Sequence, residues 1–541
     1  MKKTILAIIL AGVFLTGCKE EFLELYPTNQ IDENAAFSSP QNAMAALYGI
    51  YDLITESRLL GTWVPVSNDL RGDDVFIAQA NNWNYILQPF NYTWLASTAS
   101  TTRSSPAQNW TLFYAVIENC NGAINADLPF DTEGAAAFLG EVKTVRALAY
   151  FNLVQMFCVP YTRDNGASPG VPLYEVSDAS QLKGRGTVAE VYELIEKDLT
   201  DAVAVLDAPA TVGRVGKVFA QGLMARVKMA KGEYAEALPF INAAISGAPA
   251  LSSGADLALG VNRVMSETIF AVPFNSDDYG IYWGLTSSYD HPEGYGNAFM
   301  TTALLNTYPA DDIRRDWFIS PLFYNYNDPE VEAHFGALTR TLYHFEGYHS
   351  YSFTEIQDIT DAGTPVTESM FYPNNQDSWC FIRPGHVSLY GKFPRLDAVR
   401  GSSFGSVGLD QPTLMRTTEL YLMKAECEAR KASPDFTAAQ NALFAVQTRA
   451  SASVVRSTST GAALISEIMM ERRRELVGEG FRINDILRLG LPLDRPQIPG
   501  PAWSPIKHLD ATSPKLIYPI PEIEIDANEF INDEDQNPGY N

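Results

Sequence analysis

The chain is poor in the groups from which metal and redox chemistry are built. It holds 6 histidines and 5 cysteines in 541 residues. No pair forms His-Glu-x-x-His or Cys-x-x-Cys, so the common zinc and dithiol motifs are absent. His344 and His349 are five apart, a spacing that does not share a helix face. Basic residues are also scarce, 39 Lys and Arg against 64 Asp and Glu, for a net charge of −25. Such a balance repels phosphate backbones and argues against nucleic acid as a partner. Past the N-terminus no apolar run reaches the ~18 residues of a membrane span. Cys120, Cys158, Cys380 and Cys427 are scattered and read as small core residues, with room for one incidental disulfide. No cofactor and no resident metal are expected.

What is present begins at the N-terminus. Lys2 and Lys3 precede an apolar core from Thr4 to Leu15, too short to cross a bilayer, and residues 1–17 read as a secretory signal. Leu15-Thr16-Gly17-Cys18 resembles the lipobox of bacterial lipoproteins, in which the cysteine becomes lipidated. Acyl chains contribute about 0.8 kcal/mol per buried methylene, so two or more would tether a soluble body at Cys18. Residues 18–35 then form the tether.

Helical periodicity dominates much of the rest. "SSPQNAMAALYGIYDLI" opens with a cap signal. A loop-rich stretch from about Gly61 to Ala107 follows, and helical sequence returns at "NWTLFYAVIENCNGAI", where Trp110 reads as core. In "GEVKTVRALAYFNLVQMF" Val142, Val145, Ala149, Leu153 and Met156 recur at steps of three and four. "TVAEVYELIEKDLTDAVAVL" is a further amphipathic helix. Ala225, Ala237, Ile241, Ala244 and Pro249 have the spacing of a tetratricopeptide repeat, although Gln221 and Lys228 stand where its large aromatics belong. "LMRTTELYLMKAECEAR" and "FTAAQNALFAVQTRA" predict another helix pair. Residues of about 250–410 break the pattern and read as structured loops and short strands.

Two constellations invite chemistry. "ERRRELVGEGFRINDILR" gathers Glu471, Arg472, Arg473, Arg474, Glu475, Glu479, Arg482, Asp485 and Arg488. Opposite charges at three- and four-residue spacing predict helical ion pairs, and arginines beside each carboxylate hold it ionised, unsuited to a general acid. "SNDLRGDDVF" clusters Asp69, Asp73 and Asp74 without the spacing of an EF-hand. Hydrogen bonding to sugar hydroxyls and plain turn formation are both natural readings of that cluster.

Aromatic residues are the sharper signal. Residues 279–295, "YGIYWGLTSSYDHPEGY", carry five Tyr or Trp, where the chain-wide frequency predicts about two. They follow no helical or alternating period. "NNWNYILQPFNYTW" similarly mixes Trp83 and Trp94 with asparagines. A flat ring covers the C–H face of a pyranose while Asn and Asp answer its hydroxyls. The candidate ligand residues are therefore Asp73, Trp83, Asn84, Trp94, Tyr282, Trp283, Tyr289, Tyr295 and, from "RRDWF", Trp317.

Several segments together resemble the SusD/RagB family of outer-membrane lipoproteins. They are "RALAYFNLVQMFCVPYT", "TVAEVYELIEKDL", "GKVFAQGLMARVKMAKGEYAEAL", "LMRTTELYLMKAE", "ERRRELVGEGFRINDILRLG" and the ending "YPIPEIEIDANEFINDEDQNPGY". "KEE" after Cys18 is similar to that family's short surface-export signal. The resemblance implies a mainly α-helical fold of about four tetratricopeptide-type pairs carrying a large loop-rich ligand-binding insertion. Residues 36–215 would form the N-terminal region with the first pair, and residues 216–541 the C-terminal region, all one unit. It also implies a cell-surface location and a SusC-like TonB-dependent β-barrel as partner. Oligosaccharides, or peptides in the RagB branch, are captured by such proteins and not cleaved.

Two other readings stay open on residues alone. A helical glycoside hydrolase would need two facing carboxyls, one with a raised pKa. A protein-docking repeat scaffold would bind on its inner face and leave the aromatic loops without purpose.

Overall fold

The computed structural model describes residues 36–77, 87–94, 106–178, 180–208, 211–272, 284–289, 298–320, 351–352, 386–387, 389, 391–393, 411–496 and 506–540. The signal, Cys18 and the tether lie outside them, as do Cys380, His344 and His349.

Helix α1 (Pro40–Thr55) starts at Ser39, whose hydroxyl accepts the Asn42 N–H at 3.2 Å, and buries Ala43, Leu47, Ile50, Tyr51 and Ile54 on one stripe. Helix α2 (Trp63–Leu70) falls inside the stretch read as loop, and all eight of its residues are buried. A helix covered on every side has no polar face, so periodicity could not reveal it. Strand β1 (Val75–Ile77) follows.

Helices α3 (Pro106–Asn125), α4 (Thr132–Phe157) and α5 (Val188–Val205) build the first part of the repeat scaffold. Helix α4 sits at its centre and packs on α3, α5 and α6. Asp131 caps α4 through the Gly134 N–H, and Thr187 with Glu190 forms a capping box on α5. Arg146 ties three helices, forking onto Asp198 with two bonds of 2.7 Å and donating to Asn121 Oδ1 at 2.7 Å. The pair is almost wholly buried. Such a pair fixes register more than it stabilises.

Helices α6 (Lys217–Ala230) and α7 (Tyr234–Gly247) are the repeat-like pair, with Ala225, Ala237, Ile241 and Ala244 all fully buried. Small residues at these positions let the two backbones approach. At Gly222 even a Cβ would overlap the Met415 thioether. Helices α8 (Thr417–Arg430) and α9 (Phe436–Gln447) form the next pair and pack on α7 through α8. Helices α10 (Gly461–Leu476) and α11 (Arg482–Arg488) complete the scaffold.

Sheet is sparse. Strand β2 (Thr268–Ala271) pairs with β5 (Thr413–Arg416), and β3 (Ala298–Thr301) lies between β1 and β4 (His386–Val387), all antiparallel. Two apolar cores result. The larger lies among the repeat helices, while the smaller joins Trp63, Val66, Phe76, Phe90, Phe299, Trp317 and Phe393 beneath the insertion. The C-terminal segment clasps the end of α4. Asn537 Nδ2 donates to Phe157 O and Tyr518 O at 2.7 Å each, and Gln536 brackets Ile520 through both backbone groups. The thiols of Cys120, Cys158 and Cys427 are buried and unbridged.

Candidate ligand-binding site

Ile77 precedes the early aromatic stretch in sequence, and Ala298 follows the stretch 279–295. Strands β1 and β3 place these residues opposite each other, with Val75 facing Met300 two residues further in. Asp74 O accepts the Thr301 N–H at 2.8 Å and extends the ladder. Directly opposed antiparallel residues lie about 4.5–5.5 Å apart, so Ile77 and Ala298 share one end of the β1–β3 ladder. Beneath them lies the smaller apolar core. Trp83, Asn84, Tyr282, Trp283 and Tyr295, in those stretches, lie outside the described residues.

The other four candidates are covered by the protein's own atoms, which corrects the expectation that their side chains face a ligand. Trp317 is 0% exposed, donates its indole N–H to Leu257 O at 2.9 Å and lies under the Lys392 ammonium. Tyr289 is 1% exposed and stacks on Phe393 at 4.9 Å. Trp94 is 3% exposed, packs edge-on against Tyr518 and donates to the Tyr540 hydroxyl at 2.7 Å. Asp73 is clamped by Arg482. Burying large rings gains more than exposing them, and the indole N–H groups of Trp94 and Trp317 have found acceptors.

Below this platform, the charged stretch forms an ion network, as its composition predicts, but mostly not with its own helix. Only Arg474–Glu471 and Arg488–Asp485 use helical spacing. Arg473 instead reaches Asp74 at 2.5 Å, and Arg488 forks onto Glu426 of α8 at 2.9 and 2.7 Å. Glu475, fully buried, meets Arg314 and Arg416 at 2.6 Å and Arg449 at 2.5 Å. Burial opposes its ionisation, yet Arg449, Arg416 and Arg314 hold its carboxyl well below the usual range.

Lys392 escaped notice in the sequence because "GKFPR" looks like a surface turn. It is fully buried and donates to Glu475 O, Val477 O and Glu479 Oε1 at 2.6–2.7 Å. Burial lowers its pKa. These bonds pin a tight turn in which Gly478 and Gly480 both take positive φ. A Cβ on Gly480 would meet Pro65 Cα at 2.6 Å, so the turn lies directly on α2. The Gly480 N–H donates to Asp69 Oδ2 at 2.8 Å. Burial lifts Asp69 to about 7, against the pull of that bond and of Lys392. The aspartates therefore fasten the early segment to the C-terminal helices. Among the described residues no group of three or more His, Cys, Asp or Glu is arranged to hold a metal.

No described helix is long and apolar enough to cross a membrane. The arrangement offers a rigid platform with Ile77 and Ala298 on adjacent strands, and carboxylates locked by arginines below. A curated relative, SusD-like protein P25 of Formosa agariphila, is 24% identical over 96% of both chains. A solved structure described as a putative sugar binding protein from Bacteroides vulgatus superposes with a TM-score of 0.71 at 24% identity, covering 93% of this chain and 99% of that one. Surface glycan-binding protein A from Bacteroides thetaiotaomicron, solved with laminarihexaose, reaches 0.63 at 18% identity over 91% and 98%. The family described as starch-binding and associating with the outer membrane matches residues 21–229, and the SusD family matches residues 266–540. With helical pairs, platform and C-terminal clasp on these two matches, the chain belongs to the SusD family.

Proposed function

We propose that this protein is a cell-surface lipoprotein, acylated at Cys18, that captures oligosaccharides and passes them to a SusC-like TonB-dependent barrel without cleaving them. The observation carrying this reading is the antiparallel pairing of β1 with β3. It brings Ile77 and Ala298 to one end of the same ladder, which supports a reading in which the rings and Asn84 of the adjoining stretches act on one glycan. Affinity would come from ring faces on C–H surfaces and from amide bonds to hydroxyls. Support for a glycan also comes from the laminarihexaose-bound neighbour, and support for the membrane setting from the family's outer-membrane description. Capture without hydrolysis follows from the carboxylates. Glu475, Glu479 and Asp485 are held ionised by buried arginines, whereas hydrolysis needs a protonated acid facing the substrate. Among the described residues Asp69, raised to about 7, is buried against the Gly480 turn, and Asp74 and Asp198, also raised by burial, are each bonded to an arginine.

The test is retention on gels containing insoluble or cross-linked glycans, with chain lengths measured afterwards. The proposal expects retention, unchanged chain lengths, and at least tenfold weaker binding for Trp83→Ala and Trp283→Ala. Shortened products, or binding indifferent to both substitutions, would refute it. Isolation of outer membranes with gentle detergent should recover a β-barrel with the protein, and mass spectrometry should find the acyl groups on Cys18.

A further inference from the structure

A partly enclosed cavity of about 120 Å³ lies between α4, α6, α8 and the turn leading into α11. A smaller pocket of about 20 Å³ shares Gln155, Asn484 and Arg488 with it and adjoins it on the side of Tyr161 and Tyr192. The cavity borders the Gly480 turn, and Leu285 of the 279–295 stretch and Phe393 complete its lining.

The charges on its wall are already answered. Arg226 forks onto Glu419 at 2.8 and 2.5 Å, Arg472 Nε donates to Asp485 at 2.8 Å, and Glu479 accepts from Arg416 and Lys392. The wall therefore has no surplus charge with which to attract an ion.

Several of its neutral polar atoms are uncommitted. Asn68 is 4% exposed, and its Oδ1 accepts no hydrogen bond among the described residues. Arg472, whose charge Asp485 answers, keeps a buried Nη1 N–H in the same state. Asn152 and Gln155 spend their NH₂ groups on helix carbonyls one turn back, at 2.8 and 3.1 Å, which leaves both amide oxygens. Asn484 adds a fourth carboxamide. Between them lies Phe481, whose ring faces the guanidinium groups of Arg226 and Arg472 at 5.2 Å. A buried polar group left without a partner costs about 1–3 kcal/mol, so something must answer Asn68. The enclosed space is smaller than the ~150 Å³ that holds one benzene ring in an engineered cavity, so a larger ring seats one edge in it and leaves the rest at the open side.

From this we infer that the cavity is a second, internal site for a neutral polyhydroxylated ring about the size of one sugar unit. Four carboxamides supply donors and acceptors for a rim of hydroxyls, Phe481 supplies an apolar surface, and paired charges on the wall discriminate against ions. Apart from Leu285, its lining comes from outside the two aromatic stretches, and the site stands whether or not their rings bind glycan.

The test uses the detergent-solubilised mature protein, with saturation-transfer NMR and calorimetry on glucose, xylose and myo-inositol as probes. Binding of at least one probe is expected, weakened at least tenfold in Asn484→Leu and largely kept in Asn484→Gln. Asn484 is half-exposed, so Asn484→Leu should fold, and an unchanged melting temperature checks that. Asn68→Leu, the deeper substitution, should act in the same direction. Glycan-gel retention by Asn484→Leu should match the wild type, which separates this site from the loops. The inference is overturned if none of the probes binds, if Asn484→Leu binds them as the wild type does, or if sodium phosphate displaces them. A crystal soaked in the best probe that shows only ordered water in the cavity overturns it as well.

Discussion

The repeat scaffold and the junction beneath the insertion are held by opposite means. Among α6, α7 and α8, alanines and aliphatic side chains interlock, and between α4 and α5 the rim pair Lys143–Asp201 is half in water, with Arg146–Asp198 a buried exception. At the junction, Arg314, Arg416, Arg449, Glu267, Glu475 and Lys392 are almost wholly buried, and each answers charges from distant parts of the chain. Close apolar packing can be built from neighbours in sequence. Joining an early helix, a mid-chain insertion and a C-terminal turn in one geometry needs directional contacts, which charged hydrogen bonds supply.

That contrast breaks most sharply at Glu475. Glu475→Ala leaves three buried guanidinium groups short of a counter-charge, and a loss of about 3–5 kcal/mol is expected in denaturant titrations. A result under 1 kcal/mol would mean that water enters the junction and the region is not dry.

A slightly smaller effect is expected from pH. Asp69 is raised to about 7, so the native state keeps a proton that the unfolded chain releases near 4. Stability from this group is therefore present at low pH and lost as pH rises from about 4 to about 7, by at most about 4 kcal/mol. Glu475, Glu479 and Asp485 are shifted the other way, so their contribution is present above the ordinary carboxylate range and lost as pH falls below it. Asp69→Asn, which can still accept from Gly480, should raise the melting temperature at pH 8 and flatten its pH dependence between 5 and 8. A profile unchanged from the wild type would place Asp69 among the ordinary ionised carboxylates.

On the scaffold side, Ala237→Leu forces extra methylenes between α6 and α7 and should cost about 1–3 kcal/mol, while Ala237→Gly should cost less. Equal costs for both would show that the helices do not meet there as closely as packed. The smallest effect belongs to Lys143→Ala. Its pair with Asp201 is partly exposed, so no more than about 1 kcal/mol is expected, and that should fade in salt.

Legibility followed the same division. Helices with one wet face, α1 and α5, showed their periods, and the small residues at Ala225 and Ala237 lie buried where the repeat pattern needs them. Helix α2 did not, because it is covered on every side. The charged run was read correctly as an ion network, yet helical spacing named the wrong partners for most of it. Arg473 pairs with Asp74, 399 residues away. The aromatic candidates divide similarly. Trp94, Tyr289 and Trp317 occupy loop-like sequence and still end in cores, because three-dimensional neighbours, not local composition, determine which rings are covered.

By itself the sequence determined the helical class, the repeat spacing, the acidic balance and the motifs that mark the family. These rest on local periodicity and on short-range chemistry that a linear string records. Only the tertiary structure decided that Asp69, Asp73 and Asp74 serve as fasteners, that Lys392 is buried, and that Ile77 and Ala298 share one end of a ladder. Each of those depends on groups hundreds of residues apart meeting in a place without water, where the strength of a charge is set by what surrounds it.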